Sequence, residues 1–209
     1  MKLMTVLLCA FLLMGVLTGC NRSGQKPTES TPTISTPAAT QPSSTGNAGS
    51  TEKGDSVAIL ENIWALYGED ERFAVYGGAV ENSVADAPGA LDLSNAEELV
   101  SKYLIPQNQL TNISDGASLV HMMNGNIFTA VVFKVQEGTN VDAMTKAWRD
   151  AIHQNRWICG QPDKMLMYRM DTDHILMTFG SADAMTQFQG KVTAAFADAK
   201  TIYSEAIVG

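Results

Sequence analysis

The sequence predicts an α+β domain in which two N-terminal helices precede a ββα-ββα repeat. The repeat is expected to form a four-stranded antiparallel sheet with both long helices packed on one face. Three observations give this prediction: polar capping residues precede amphipathic segments, two pairs of strand-like segments enclose turn residues, and a helical pattern follows each pair. Residues 56–209 hold all of these elements and are predicted to be a single globular domain.

The two N-terminal helices are marked by their capping residues. Asp55 can cap the first helix, and Ser94-Asn95-Ala96-Glu97 is a capping box that opens the second, which stops before Pro106. The first helix carries apolar residues at helical spacing, namely Val57, Leu60, Ile63, Trp64 and Tyr67. Residues 68–93, between the two helices, are expected to be irregular.

The first predicted hairpin lies in the middle of the domain. Segments Ser118–Met123 and Ile127–Gln136 have the composition of strands, and they enclose Asn124-Gly125, which is a strong hairpin signal. Asn140 can then cap an amphipathic helix. This gives the first ββα unit.

The same order of elements recurs towards the C-terminus. Strands Met165–Met170 and Ile175–Gly180 are predicted on either side of Asp171-Thr172-Asp173. Ser181 can cap a second long helix, whose apolar positions extend to Tyr203. This gives the second ββα unit.

One predicted strand is apolar on both sides. In Ile127–Gln136, Val131 and Phe133 face one way, whereas Phe128 and Val132 face the other. A sheet with two apolar faces needs a cover on each. Either the N-terminal helices or a partner is expected to supply the second cover.

The first twenty residues have a different character from the domain. Lys2 supplies a positive charge, and residues 3–17 are an apolar run that is short of the roughly 20 residues needed to span a bilayer. The run ends in Leu17-Thr18-Gly19-Cys20. This segment resembles the lipobox of bacterial lipoproteins.

The resemblance to lipoproteins implies a covalent lipid anchor. In that family the cysteine thiol carries a diacylglyceryl group and the chain is cut just before the cysteine, here between Gly19 and Cys20. Residues 1–19 are then a signal peptide, and the mature chain is expected at the cell membrane, lipid-anchored and facing outside the cytoplasm. The alternative is an ordinary secretory signal with an incidental cysteine.

Residues 20–55 are expected to form the lipidated cysteine and a disordered stalk. The segment is rich in Ser, Thr and Pro and almost empty of large apolar residues, so it cannot bury enough surface to offset its chain entropy.

Residues 56–209 contain 10 Lys and Arg against 19 Asp and Glu. This acidic balance argues against nucleic acid and anionic lipid surfaces as partners, since both need positive charge.

The sequence contains no catalytic motif, no metal-ligand spacing and no nucleotide-binding glycine loop. A non-enzymatic domain without a cofactor is therefore favoured. Three weaker candidates are each set against a structural role: Cys159 with His153 as a nucleophile, Met165 and Met167 with His174 as a copper site, and Glu69-Asp70-Glu71 or Asp171-Thr172-Asp173 as a calcium loop.

An interaction face is predicted on the sheet. His121, Met123, Met165 and Met167 could line a surface for an unknown protein, peptide or small apolar ligand, because methionine adapts to varied apolar partners. The expected function is that of a membrane-anchored extracytoplasmic lipoprotein with a binding or interaction domain. A cell-envelope hydrolase or an accessory factor to one, and a structural subunit of an envelope complex, are the alternatives.

A second resemblance covers the C-terminal half. Residues 118–196 contain the Asn124-Gly125 hairpin, the strand end Phe133-Lys134-Val135-Gln136 and the helix opening Asp142-Ala143-Met144. In these features the segment is similar to a family of uncharacterised small lipoproteins of Clostridia-type Gram-positive bacteria. The resemblance implies a compartment and a fold, and it implies no reaction.

Overall fold

The computed structural model describes residues 56–208. Asp55, Cys20, the predicted signal peptide and the predicted stalk therefore lie outside the described residues. The helices are α1 (Ser56–Trp64), α2 (Ala96–Tyr103), α3 (Val141–Gln154) and α4 (Ala182–Ala195). The strands are β1 (Val75–Gly77), β2 (Val84–Ala85), β3 (Gly89–Ala90), β4 (Ile113–His121), β5 (Phe128–Val135), β6 (Lys164–Arg169), β7 (His174–Gly180) and β8 (Lys200–Ala206).

All the strands belong to one antiparallel sheet. Their order is β2-β1-β4-β5-β7-β6-β8, and β3 also pairs with β4. The α+β class and the antiparallel sheet are confirmed, but the predicted four-stranded sheet is wrong because the sheet has 8 strands. The four predicted strands are its centre, and short N-terminal strands and β8 extend it on either side.

The prediction that both long helices share one face is also wrong. The crossover from β5 through α3 reaches β6, and the crossover from β7 through α4 reaches β8. Both crossovers advance by two strands towards the same sheet edge, yet β5 and β7 are antiparallel. Two crossovers of the same hand must then place their helices on opposite faces. Accordingly, α4 packs on one face of the sheet and α3 packs on the other.

The first face of the sheet is covered by α1 and α4. Leu60 and Ile63 of α1 and Phe188 of α4 pack against strand residues such as Ala130 and Leu176. All five side chains are fully buried. The N-terminal helix α1 thus supplies one of the covers that the doubly apolar strand β5 required.

The second face is covered by α2 and α3. Trp148 of α3 is fully buried beside the ring of Phe133, and its indole Nε1 donates to the carbonyl of Tyr103 at 2.9 Å. The Tyr103 hydroxyl in turn donates to Ser118 Oγ at 2.9 Å. This chain of hydrogen bonds ties α3 to α2 and α2 to the sheet, and it satisfies the buried polar groups of Trp148, Tyr103 and Ser118.

The helix starts were well predicted and the last helix end was not. Asn140 and Ser181 accept hydrogen bonds from Ala143 N and Ala184 N, as expected of N-caps. In α2 the cap is Asn95, one residue after the Ser94 of the predicted capping box, and Ser94 Oγ instead donates to Asp92. Helix α4 ends at Ala195, and Tyr203 lies in the unpredicted strand β8, because its spacing from earlier apolar residues happened to fit a helical period.

The first hairpin has a wider turn than its Asn-Gly pair suggests. Strands β4 and β5 pair as far as Val120 and Thr129, so a loop over residues 122–127 replaces a two-residue turn.

No helix among residues 56–208 is long and apolar enough to cross a membrane.

The short strands β1 and β3 approach each other closely at two glycines. A Cβ added at Gly89 would lie 2.7 Å from the carbonyl carbon and oxygen of Gly77. A Cβ added at Gly190, on the exposed side of α4, would meet nothing within 4 Å. Gly89 and Gly190 therefore have opposite roles. Gly89 permits a backbone contact, whereas Gly190 only adds chain entropy to the unfolded state.

Alanine substitutions at these two positions should change stability in opposite directions. We expect Gly89→Ala to lower the free energy of unfolding by about 1–3 kcal/mol, because backbone must move to admit the methyl group. Gly190→Ala should raise it by about 0.5–1 kcal/mol. Urea unfolding followed by circular dichroism measures both. A neutral Gly89→Ala variant would contradict the close approach of β1 and β3.

Candidate ligand-binding site

The four residues of the predicted interaction face do not share a surface. Met165 and Met167 are fully buried in the core beneath α2 and α3. His121 lies on the other side of the sheet, where its ring stacks on Phe73 at a centroid distance of 5.6 Å. Met123 is 83% exposed in the β4–β5 loop. The predicted face is corrected accordingly: strand alternation separates His121 from the two buried methionines.

Two loops meet at one end of the sheet, and asparagine side chains hold them together. The β4–β5 loop (122–127) supplies Asn126, whose amide Nδ2 donates to the carbonyls of Ile158 at 2.7 Å and Gly160 at 2.6 Å. Asn124 Nδ2 donates to the Cys159 carbonyl at 3.1 Å. We call the region formed by residues 122–127 and 155–160 the loop end.

Further hydrogen bonds fix the β4–β5 loop internally. The ring nitrogen Nδ1 of His121 accepts from the backbone amides of Met123 at 3.2 Å and Asn124 at 3.3 Å. Asn124 Oδ1 accepts from Asn126 N at 2.9 Å. Because Nδ1 accepts two bonds, the His121 ring carries its proton on Nε2 when neutral. His121 is therefore a structural support of the loop.

The backbone of the facing loop is strained. Cys159 has a φ of 64° and Gly160 a φ of 103°. A left-handed conformation is unfavourable for a residue with a side chain, and it persists where surrounding contacts impose it. The asparagine bonds to the carbonyls of residues 158–160 supply those contacts. Cys159 is exposed, although a cysteine with a structural role is more often buried.

A cavity of about 440 Å³ opens beside the loop end. Its walls come from α2, the β4–β5 loop and the segment after α3. The lining residues that bear on its chemistry are Tyr76, Lys102, Asn126, Arg156, Trp157 and Phe179. A volume of this size falls within the range of small-molecule sites. We call it the loop-end cavity.

Two cationic side chains line the cavity, and only one of them is paired within the protein. Lys102 Nζ pairs with Glu98 at 3.1 Å and lies 4.8 Å from the centre of the Tyr76 ring. Burial acts to lower the pKa of Lys102, but Tyr103, Tyr76 and Glu98 outweigh it and raise the pKa. Arg156 has no hydrogen bond or ion pair with any residue in the range 56–208. Its charge is therefore available to a ligand.

Exposed apolar side chains lie in the two loops of the loop end. Ile158 lines the cavity and is 80% exposed, and Met122 of the β4–β5 loop is 46% exposed. Together with Met123 and Ile127 they form what we call the apolar rim. Contiguous exposed apolar side chains are a common feature of interaction sites, and methionine adapts its shape to varied partners.

The other histidines of the described residues support the fold. His153 Nε2 lies 2.9 Å from Glu205 Oε1, and Arg149 forms a bidentate pair with the same carboxylate. The Arg149 guanidinium is the main reason that the pKa of Glu205 is lowered. These contacts attach the edge strand β8 to α3. They use His153 in a role other than activating Cys159.

His174 is buried beside the turn between β6 and β7. Its side chain is 1% exposed and its Nδ1 lies 3.0 Å from Asp171 Oδ2. Asp171 Oδ1 also accepts from the backbone amides of Asp173 at 2.9 Å and His174 at 2.8 Å. Burial acts to raise the pKa of Asp171, but the two amide donors and the imidazole outweigh it and lower the pKa.

The same turn contains a group of side chains with the spacing of metal ligands. Asp171, Asp173 and His174 have ligand atoms within 4.8 Å of one another. Contacts within the protein explain why these side chains lie close together. Asp171 accepts backbone hydrogen bonds of the turn, and the Lys134 ammonium lies 3.5 Å from Asp173 Oδ2. The proposed copper ligands are separated, because Met165 and Met167 face the opposite side of the sheet from His174.

The other candidate calcium segment, Glu69-Asp70-Glu71, is likewise engaged within the protein. Glu71 Oε2 accepts from Gly68 N at 2.9 Å and from Lys191 Nζ at 2.6 Å. Hydrogen bonding from Lys191 is the main reason that the pKa of Glu71 is lowered. This segment therefore links the start of the domain to α4.

The cavity itself escaped prediction from the sequence. Lys102 and Arg156 lie 54 positions apart in elements whose approach depends on the sheet order. The usable signals were local ones: the polar run Asn124-Gly125-Asn126, and the apolar pair Trp157-Ile158 in the connection after α3. No family model, curated protein or solved structure matches this chain.

Removing the Asn126 amide should loosen the loop end without unfolding the domain. We expect Asn126→Ala to lower the free energy of unfolding by roughly 1 kcal/mol, and to speed amide hydrogen exchange in residues 155–160. Asn112→Ala is a matched control, because Asn112 contacts Gln109 at 2.7 Å away from the loop end. Equal exchange of residues 155–160 in both variants would contradict the clamp.

The Asp171 turn should make stability depend on pH. Because the pKa of Asp171 is lowered by folding, its contribution is present above the unfolded pKa of about 3.9 and is lost as the pH falls through the folded pKa. At neutral pH, Asp171→Asn should lower the free energy of unfolding by about 1–3 kcal/mol. The difference from the unsubstituted protein should shrink below about pH 4.

Chemical denaturation between pH 3 and pH 7 measures this dependence, with the pH values spaced by about half a unit to follow the titration. Asp198→Asn, at an exposed position, is the control and should leave the curve unchanged. A constant difference between the unsubstituted protein and Asp171→Asn across this range would contradict the assignment.

Proposed function

We propose that this chain is a lipid-anchored extracytoplasmic lipoprotein with a non-enzymatic binding domain, and that the loop end is its binding surface. One observation carries the binding assignment: two loops clamped by asparagine amides hold an open cavity and an exposed apolar rim together. Rigid loops at one end of a packed scaffold are a frequent place for ligand contacts, because their bound shape is formed in advance.

The anchor assignment rests on the sequence. Leu17-Thr18-Gly19-Cys20 follows a charged start and an apolar run of signal-peptide length. Cys20 is the proposed site of lipid attachment, and residues 20–55 are the proposed stalk. Two or three acyl chains on one residue would hold the protein stably at a membrane.

The polar side chains of the domain support binding over hydrolysis. Within residues 56–208, His153 and His174 contact carboxylates that join secondary-structure elements, and His121 supports a loop. A cell-envelope hydrolase needs an acid and a base that converge on a substrate cleft. The cavity at the loop end is instead lined by cations, amides and aromatic rings.

Thiol labelling can test location and occupancy together. Cys159 is exposed at the loop end, and under the proposed processing it is the free thiol of the mature chain, because Cys9 is removed and Cys20 is acylated. A membrane-impermeant maleimide should label Cys159 on intact cells. A bound ligand should make labelling slower on cells than on the purified full chain.

A second reporter provides the control for this experiment. In Cys159→Ser/Ala194→Cys the thiol sits on the exposed side of α4, away from the loop end, and should label at one rate in both settings. Cys20→Ser should abolish incorporation of labelled palmitate. Labelling that requires lysis would overturn the proposed location, and equal rates for Cys159 in both settings would overturn the binding role.

A further inference from the structure

The charge of the loop-end cavity is opposite to that of the domain around it. Residues 56–209 contain 19 acidic and 10 basic residues. Among the described residues that line the cavity, Lys102 and Arg156 are cations and none is an aspartate or glutamate. In a chain with an excess of carboxylates, such a lining favours an anionic ligand.

The two cations differ in whether a carboxylate of the protein neutralises them. Lys102 is already compensated by Glu98 at 3.1 Å. Arg156 is uncompensated among the described residues. Helix α3 ends two residues before it, at Gln154, and the end of a helix carries only about half a negative charge. The full charge of Arg156 exceeds this, so a net attraction for one negative charge remains.

Arginine and the neighbouring donors favour a carboxylate. A guanidinium presents parallel N–H donors that match the two oxygens of a carboxylate. Trp157 also lines the cavity, and its Nε1 is buried without a hydrogen-bond partner among the described residues. An indole N–H is a donor only. The Arg156 guanidinium and the Trp157 indole, two unpartnered groups of this cavity, therefore both call for an acceptor.

The rest of the lining favours an apolar body on that anion. Tyr76, Trp157 and Phe179 contribute aromatic rings, and the rings of Trp157 and Phe179 meet edge to face at 5.1 Å. The exposed Ile158 also borders the opening. Aromatic walls bind apolar groups with little loss of side-chain entropy.

We propose that the loop-end cavity binds a small organic acid, with a carboxylate at Arg156 and an apolar or aromatic body between Tyr76 and Trp157. This inference rests on the proposed binding function and names its ligand class. The cavity volume of about 440 Å³ fits a free acid of modest size.

The test uses the full chain and a set of defined probes. The probes are 3-phenylpropanoate, its uncharged amide, acetate, and a tetrapeptide that ends in phenylalanine with a free carboxylate. Ligand-observed NMR titration gives the dissociation constants. 3-Phenylpropanoate should bind saturably and at least about tenfold more tightly than the amide or acetate.

Two arginine variants provide the matched comparison. Arg156→Gln should weaken binding of 3-phenylpropanoate by about tenfold or more and leave the amide unaffected. Arg169→Gln, on β6 beside Asp142, should bind all probes as the unsubstituted protein does. Thermal unfolding should show that both variants are folded, since neither arginine is in the core.

Three results would overturn the proposal: equal binding of acid and amide, undiminished binding to Arg156→Gln, or tighter binding of the tetrapeptide, which would assign the cavity to peptide ends. Each of these would leave the slower labelling of Cys159 on cells intact. Loss of that protection would overturn the binding function itself, so the two failures are distinguishable.

Discussion

The antiparallel pairing of β5 with β7 constrains where every other part of this domain can lie. Each of these strands leads into a helical crossover that advances two strands in the same direction. With a common hand, α3 and α4 are forced to opposite faces. Both faces of the sheet are then covered, and the methionines of its strands become core. Under the proposed binding function, a ligand would therefore contact an end or an edge of the sheet.

The loop end satisfies this requirement because it is rigid without being buried. Its shape is set by hydrogen bonds from Asn124, Asn126 and His121 to backbone groups. The left-handed backbone at Cys159 costs free energy, and those bonds offset it. Ordering the loops before a ligand arrives removes an entropy cost from binding. The exposed apolar rim can then contribute to binding affinity.

The outcome of prediction from sequence follows the range of the interactions involved. The caps Asn140 and Ser181 were found because an N-cap acts within three residues. Strand β8 was missed because Tyr203 fitted a helical period by chance. The alternation of side chains along a strand assigned the residues of β5 to the correct faces. Whether His121 shares a face with Met165 and Met167 depended instead on the register across several strands.

The attachment point of the predicted stalk bears on how the loop end could be presented. Ser56, the first described residue, donates its backbone N–H to Asp115 Oδ2 at 2.9 Å. Asp115 lies near the start of β4, whereas the loop end follows His121 at its finish. At about 3.3 Å per residue, these points are about 20 Å apart along the strand. A chain that enters the domain at Ser56 therefore joins it at the opposite end from the cavity. Under the proposed anchoring, that polarity would leave Arg156 and the apolar rim accessible to a ligand while the domain remains tethered.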